Sequence, residues 1–288
     1  MCRTQRLVVP WFLALSCVLA TLPVAARGAA QDTSPPPERV SATIPAPEAM
    51  EVFLRRAQIV SRRNAGSGVT DSVRATLSDG TLTHDAQIQT VDVSKTVFQA
   101  GKASEVNFRD SYRYNIAGYR LARLLGMDNV PMSVERNVEG KTAAMTWWID
   151  DVMLTEGARR KKGTAGPDAE RTSRQLVMMV IFDELIQNRD RNEGNILWTS
   201  DWKMWLIDHT RAFRTGNDLL KPDELKRCDR TFLKALRGLT QQAVDAAMPN
   251  GVLTKIERES LIKRRDKIVK LFDERIAKLG EAVVLFDM

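Results

Sequence analysis

Cysteine and histidine are scarce in this sequence of 288 residues, and that scarcity excludes two kinds of stabilising site. Two of the three cysteines, Cys2 and Cys17, lie within the first thirty residues, so Cys228 has no partner for an internal disulfide. His84 and His209 are the only histidines, and without neighbouring cysteines they form no zinc-binding pattern. Stability must therefore come from a hydrophobic core, for which an apolar fraction of 43% is ample.

The sequence also lacks a strong excess of charge of one sign. Its formal net charge is +7, and it falls to +4 without the three arginines of residues 1–30. So mild a positive charge does not indicate a nucleic-acid partner, and we expect none.

Residues 1–30 have the pattern of an export signal. Arginines near the start precede an apolar stretch, and small residues follow it. We therefore expect cleavage and an exported protein, periplasmic or extracellular. The alternative is an uncleaved membrane anchor, because the apolar run is nearly long enough to span a bilayer. Contact with a membrane is expected only in that case. The Pro-rich residues 31–49 are typical of an extended linker.

The remaining chain favours an α+β fold with two lobes. Within a mixed α/β N-lobe, residues 50–153, we predict a helix over 50–63, a hairpin around Asp79-Gly80, a helix from Phe108 to Gly126, and two strands around Glu139-Gly140. Within a mostly helical C-lobe, residues 154–288, we predict a polar connector, a helix over 170–187, short strands over 195–198 and 204–207, and helices from 221 to 280.

The polar stretch "QNRDRNEGNILW", residues 187–198, interrupts this apolar pattern directly after the helix over 170–187. A helix cap or a solvated turn explains polarity alone. A calcium-binding loop is excluded, because Glu193 stands where that motif requires glycine and Thr199 where it requires a bidentate glutamate.

A third explanation is phosphoryl transfer. A buried hairpin of strands 195–198 and 204–207 would place Asn195 beside Asp208, and their side-chain oxygens suit Mg²⁺. Asp190, just upstream, would then lie where an acceptor hydroxyl can reach it. We therefore predict Asn195 and Asp208 as metal ligands, for Mg²⁺ or Mn²⁺, and Asp190 as the catalytic carboxylate.

The segments "RDRNEGNIL" and "WLIDHTRAF" resemble the catalytic loop and metal-binding segment of the atypical protein-kinase-like superfamily. They are similar to those of the phosphatidylinositol 3-/4-kinases, the HipA-like kinases and the secretory-pathway (Golgi) casein kinases. The segment "NIAGYRLARLLGMDNVPMSVER" also resembles a first-lobe block of the secretory kinases. The resemblance implies an exported bacterial kinase-like protein that uses ATP, and it implies the same roles for Asp190, Asn195 and Asp208.

The residues expected to bind the nucleotide match the family pattern less well than the loop does. The family's phosphate-binding Lys falls near Gln89, and its partner acid falls near Asn115, so neither position carries charge. Lys102 is the substitute we favour over Lys95, with Glu105 or Asp110 as its partner. A glycine turn that holds Gly66 and Gly68 could arch over phosphates.

Three functions follow from these observations. The first is an exported, metal-dependent kinase that transfers the γ-phosphate of ATP to a hydroxyl of an unknown protein, lipid or glycan acceptor. The second is a pseudokinase that acts as a nucleotide-binding module or scaffold, because the expected Lys and acid are missing. The third is an unrelated exported α+β binding protein.

Overall fold

The computed structural model describes residues 45–64, 72–100 and 103–288. The predicted export signal, most of the predicted linker, and the candidates Gly66, Gly68 and Lys102 lie outside these residues. All described residues belong to one compact unit. Within this part of the chain, no helix has both the length and the hydropathy that crossing a membrane requires.

The first half of the described chain is built on an antiparallel sheet of five strands, in the order β1-β2-β3-β7-β6. Its elements are α1 Pro47–Arg56, β1 Gln58–Asn64, β2 Val73–Ser78, β3 Thr83–Gln89, β4 Asp92–Ala100, β5 Ala103–Ser111, α2 Arg113–Leu124, β6 Ser133–Val138 and β7 Lys141–Trp147. The two predicted hairpin turns are confirmed. Glu139 and Gly140 both have positive φ, which is the geometry of a type I′ turn.

The predicted helix over 50–63 is wrong in its second half. Helix α1 begins earlier, at Pro47 inside the predicted linker, and ends at Arg56. Ala57 is extended, and strand β1 pairs with β2 from Gln58 to Asn64, with one irregularity between Ile59 and Ser61. The helical periodicity is overridden because β1 gains backbone hydrogen bonds from the next strand along the chain, β2.

A hairpin of β4 and β5 lies between β3 and α2 in the chain, and the sequence did not predict it. The predicted helix from Phe108 begins only at Arg113, because residues up to Ser111 pair with β4. This hairpin carries Glu105, Phe108 and Asp110 toward the second half of the chain, where they meet other functional candidates.

The second half is mostly helical, as predicted. Its elements are β8 Val152–Thr155, α3 Glu156–Lys162, α4 Ala169–Ile186, β9 Ile196–Thr199, β10 Met204–Leu206, β11 Cys228–Asp229, α5 Arg230–Gly238, α6 Gln241–Ala247, α7 Lys255–Leu279, α8 Glu281–Val284 and β12 Leu285–Phe286. The predicted helix over 170–187 and the predicted hairpin that follows it are confirmed as α4 and β9–β10. The predicted connector is wrong in part, since it contains α3, whose first turn is capped by Thr155.

Two hydrophobic clusters hold these elements together. The first lies on the five-stranded sheet and includes Leu54 of α1 and Met145 of β7. The second joins α2 to α4, α7 and the β9–β10 hairpin, with Ile116, Phe182 and Trp198 almost fully buried. Helix α2 thus packs against the helical half as well as against β6 and β7 of the sheet, and the boundary predicted at residues 153 and 154 stays a prediction.

Candidate active site

Helix α4 delivers the polar loop that follows it. The helix ends at Ile186, and Gln187 turns the chain with a left-handed backbone at φ 50°. In its last turns Asp183 is buried, and its carboxylate faces the loop rather than solvent. Asn188 Nδ2 donates to Asp183 Oδ1 at 3.1 Å, and the Asp190 backbone N–H donates to Asn188 Oδ1 at 3.1 Å. The start of the loop is therefore fixed by a helix carboxylate.

Arg191 fixes the rest of the loop. Its guanidinium binds Asp183 in a bidentate manner, with Nε to Oδ2 at 2.9 Å and Nη2 to Oδ1 at 3.1 Å. Its Nη1 donates to the carbonyl oxygens of Ile207 at 2.6 Å and Asn195 at 3.1 Å. One buried side chain thus joins α4, the loop and the end of the hairpin. Bidentate pairing gives this joint geometric precision as well as energy.

The β9–β10 hairpin brings Asn195 and Asp208 to the same end. Leu206 pairs with Ile196, and the Ile207 N–H donates to the Asn195 carbonyl at 3.1 Å, which extends the pairing by one residue. Asp208 follows immediately. The hairpin pairing expected from the sequence is therefore observed.

Asp208 has a left-handed backbone, with φ 54°, and so does Phe213, with φ 52°. Positive φ is tolerated by Asp but is rare for a residue as bulky as Phe. Phe213 is held in place by full burial and by its N–H, which donates to the Ile186 carbonyl at 2.6 Å. Strained residues of this kind persist where surrounding structure overdetermines them, and they cluster at functional sites.

The side-chain oxygens of Asp208 and Asn195 suit a small cation that prefers oxygen ligands. Thr210 donates to Asp208 Oδ1 from its hydroxyl at 2.9 Å and from its N–H at 3.4 Å, which leaves Oδ2 for a cation. Among the described residues, no three His, Cys, Asp or Glu side chains gather closely enough to form a metal site alone. One carboxylate and the Asn195 amide suit Mg²⁺, which takes its other ligands from phosphate and water.

His209 anchors the segment 208–214 to α2. It is fully buried, burial lowers its pKa well below the ordinary value, and the ring is therefore neutral. The ring lies edge-on to Phe182 and directly against the backbone of Gly118. A Cβ at Gly118 would lie 3.1 Å from His209 Cγ, so a larger residue would force the buried ring to shift by a few tenths of an ångström.

We expect Gly118→Ala to lower the free energy of unfolding by about 1 kcal/mol. Overpacking costs about 1–3 kcal/mol, and the higher helix propensity of Ala returns up to about 1 kcal/mol. Urea denaturation measures the change. Gly238→Ala in α5 is the matched control, because a Cβ there meets nothing within 4 Å. An equal gain in stability for both variants would contradict this packing role.

Gln89 and Asn115, where the resemblance places a Lys and its partner acid, touch each other. Asn115 Nδ2 donates to Gln89 Oε1 at 2.5 Å, and the His209 N–H donates to Asn115 Oδ1 at 2.8 Å. Because the His209 backbone N–H needs an acceptor, Asn115 must point its Oδ1 toward it and its Nδ2 toward Gln89, which in turn must present Oε1. Both side chains are buried, so this neutral chain of hydrogen bonds joins β3, α2 and the segment 208–214.

Glu105 pairs with two arginines of the segment 208–214. The hydrogen bond from Arg211 Nη2 to Glu105 Oε2 is 2.6 Å long, and Arg214 Nη2 lies 2.7 Å from Glu105 Oε1. Arg211 Nη1 also lies 3.3 Å from Asp190 Oδ2. The sequence suggested Lys102 as the partner of Glu105. Lys102 lies outside the described residues, and the described partners of Glu105 are the two arginines. Both guanidinium groups lie over the Phe108 ring, at 5.1 and 5.7 Å.

Asp110, at the end of β5, adds negative charge to the same region. Burial raises the pKa of its carboxyl, and the charges of Asp208 and Asp190 raise it further. Its Oδ1 is buried, with no hydrogen-bond partner among the residues that the structure describes. Asp190 of the loop, Asp208 and Arg211 thus all lie close enough to Asp110 of β5 to influence its charge.

Sequence reasoning missed Arg191. It stands inside the "RDR" motif, and the signal that could have identified it is Asp183, an acid near the end of the apolar run of α4. The position of Arg211 after Asp208 suggested that it could fix this loop, but nothing local indicated its pairing with Glu105, which lies 106 residues away in sequence.

No family model matches the chain, and no curated protein matches its sequence. Solved structures do match. A hydra Fam20 structure with sugar is similar at a TM-score of 0.63 and 14% identity, covering 82% of this chain and 90% of that one. A Golgi casein kinase with Mn/ADP bound gives 0.59 and 14%, covering 83% and 78%. The Helicobacter pylori proinflammatory kinase CtkA gives 0.50 and 11%, covering 78% and 98%. The chain therefore has an atypical kinase-like fold, and the predicted α+β fold class is confirmed.

Proposed function

We propose that this chain is a metal-dependent kinase that transfers the γ-phosphoryl group of ATP to a hydroxyl. One observation carries the proposal. Arg191 holds the loop that bears Asp190 against the end of the β9–β10 hairpin, where Asn195 and Asp208 lie. Similarity to kinases in fold supports this reaction class. The Golgi casein kinase with Mn/ADP bound supports a nucleotide and a divalent metal as its requirements.

In the proposed reaction, Asp190 orients the acceptor hydroxyl and accepts its proton. The hydroxyl oxygen forms a bond to the γ-phosphorus, and the bond from that phosphorus to the bridging oxygen breaks. The electron pair of the broken bond stays on ADP. Asn195 and Asp208 would hold Mg²⁺ or Mn²⁺, which when bound neutralises charge on the phosphate oxygens. Arg191 keeps the loop and the hairpin end in register, so these groups are positioned before the substrate binds.

The first test is binding and turnover. We expect Mg-ATP or Mn-ATP to raise the melting temperature of the purified chain, and labelled ATP to pass its γ-phosphate to an acceptor. Asp208→Asn should remove most of the metal-dependent shift, because it removes the charge that the cation binds. Asp223→Asn, at an exposed acid, is the matched control and should behave like the unaltered chain. A shift that persists in Asp208→Asn would contradict the proposed metal site.

A second candidate, a pseudokinase that binds nucleotide without transfer, is favoured by the neutral pair of Gln89 and Asn115. The same experiment separates the two. Binding without turnover across a panel of protein, lipid-headgroup and glycan acceptors supports the pseudokinase, and transfer to any of them supports the kinase. Glycans belong in the panel because a hydra Fam20 structure holds a sugar.

We also propose export, to the periplasm or the extracellular space, from the pattern of residues 1–30. The matched control is a chain that begins at residue 31. Its retention in the producing cell, together with release of the full chain, is the expected result. Recovery of the full chain in the membrane fraction would support the uncleaved anchor instead.

A further inference from the structure

Phosphoryl transfer needs positive charge at the phosphoryl group that moves. The buried pair of Gln89 and Asn115 supplies none, because both side chains are neutral amides. If the proposed function is right, a cation must reach the γ-phosphoryl group from elsewhere in the site.

Arg211 lies where such a cation is needed. Its Nη1 is 3.3 Å from Asp190 Oδ2, and Asp190 is the group proposed to hold the acceptor hydroxyl. The γ-phosphorus must lie next to that hydroxyl for the new bond to form. A guanidinium in contact with Asp190 is therefore within reach of the γ-phosphoryl oxygens, whereas the α- and β-phosphates lie farther along the nucleotide.

The contacts of Arg211 also suit this use. Glu105 holds Nη2 at 2.6 Å and the Phe108 ring lies under the guanidinium, so its plane is fixed. The contact with Asp190 is long for a charge-assisted hydrogen bond, which usually measures about 2.7–2.9 Å. The Arg211 side chain is 27% exposed. A phosphate can therefore displace the weaker contact while the stronger one keeps the guanidinium in place.

We propose that Arg211 contacts the γ-phosphoryl group of the bound nucleoside triphosphate and supplies the charge that Gln89 and Asn115 lack. Glu105 and Phe108 are positioning residues that act through it. This inference rests on the proposed function. It adds to the metal ion a second positive charge, which comes from the segment 208–214 rather than from the position of Gln89 on β3.

The difference in binding affinity between Mg-ATP and Mg-ADP tests the proposal, because only Mg-ATP has the γ-phosphoryl group. The test needs no phosphoryl transfer. Calorimetric titration of the full chain gives both dissociation constants. We expect Arg211→Gln to weaken Mg-ATP binding roughly 10- to 100-fold, as for a lost hydrogen bond to a charged group, and to change Mg-ADP binding little. Arg211→Lys keeps the charge and should recover part of the selectivity, although it lacks the planar fork.

Arg189→Gln is the matched control, because it removes the same charge from an exposed residue next to Asp190. It should leave the ratio of the two dissociation constants unchanged. Glu105→Gln is a second, milder variant that keeps the side-chain size. By releasing Arg211, it should lower the ratio of the Mg-ADP dissociation constant to the Mg-ATP dissociation constant several-fold. It decides the matter if Arg211→Gln does not fold.

The outcomes separate this inference from the proposed function. If the unaltered chain binds Mg-ATP and neither Arg211→Gln nor Glu105→Gln alters the ratio, Arg211 does not contact the γ-phosphoryl group, and the proposed function stands. If Arg211→Gln instead strengthens Mg-ATP binding, Arg211 only shields Asp190, and the inference is overturned. If the unaltered chain binds neither nucleotide, both proposals fail.

Discussion

Replacing Asp190 with Asn is expected to lower phosphoryl transfer roughly 10²- to 10⁴-fold, the usual contribution of a positioned general base. The amide keeps the size of the side chain but cannot accept the proton of the acceptor hydroxyl. Binding of Mg-ATP should persist, because Asn195 and Asp208 are unaltered. Initial rates with labelled ATP and calorimetric titration measure the two effects separately.

The contrast with Asp208→Asn makes this prediction specific. Asp190→Asn should bind nucleotide and fail to transfer, whereas Asp208→Asn should lose metal-dependent binding as well. Equal loss of binding in both variants would show that Asp190 supports the nucleotide site rather than the acceptor. Asp223→Asn serves again as the exposed control.

The second large effect concerns stability. Arg191→Met should lower the free energy of unfolding by about 3–5 kcal/mol, because it leaves the Asp183 carboxylate buried without its charged partner. The side chains of Arg191 and Asp183 are only 8% and 12% exposed, so solvent screens the pair little. The carbonyl oxygens of Asn195 and Ile207 also lose a donor. Urea denaturation measures the loss.

Arg189→Met is the matched control for this variant, since it removes an exposed arginine two residues away. Its cost should stay within about 0.5 kcal/mol. The double variant Asp183→Asn with Arg191→Met should cost less than the two single variants added together, because each single change already breaks the pair. Additive costs would show that the ion pair does not hold the loop.

The parts of this site that the sequence predicted are local. Asp190, Asn195 and Asp208 lie within 19 consecutive residues, and a short apolar hairpin is enough to bring the last two together. Helix α4 was also predictable, because its length and its polar end are visible in one stretch of sequence.

The parts that the sequence could not predict depend on contacts outside the stretch itself. Strand β1 has a helical pattern and becomes a strand through pairing with β2, the next strand along the chain. The β4–β5 hairpin is mostly exposed, so no clear alternation of apolar residues marks it. Arg211 acquires its place only when that hairpin brings Glu105 to it, and neither residue carries a local signal of the contact.

The amide chain from Gln89 through Asn115 to the His209 N–H has a consequence for the conditions under which the site keeps its shape. It carries no charge, so dissolved ions cannot screen it and ordinary changes of pH cannot titrate it. An ion pair in its place would be lost at a pH low enough to protonate its acid. A protein proposed to work outside the cell, where salt and acidity are not regulated, would keep β3, α2 and the segment 208–214 aligned across a wide range of surroundings.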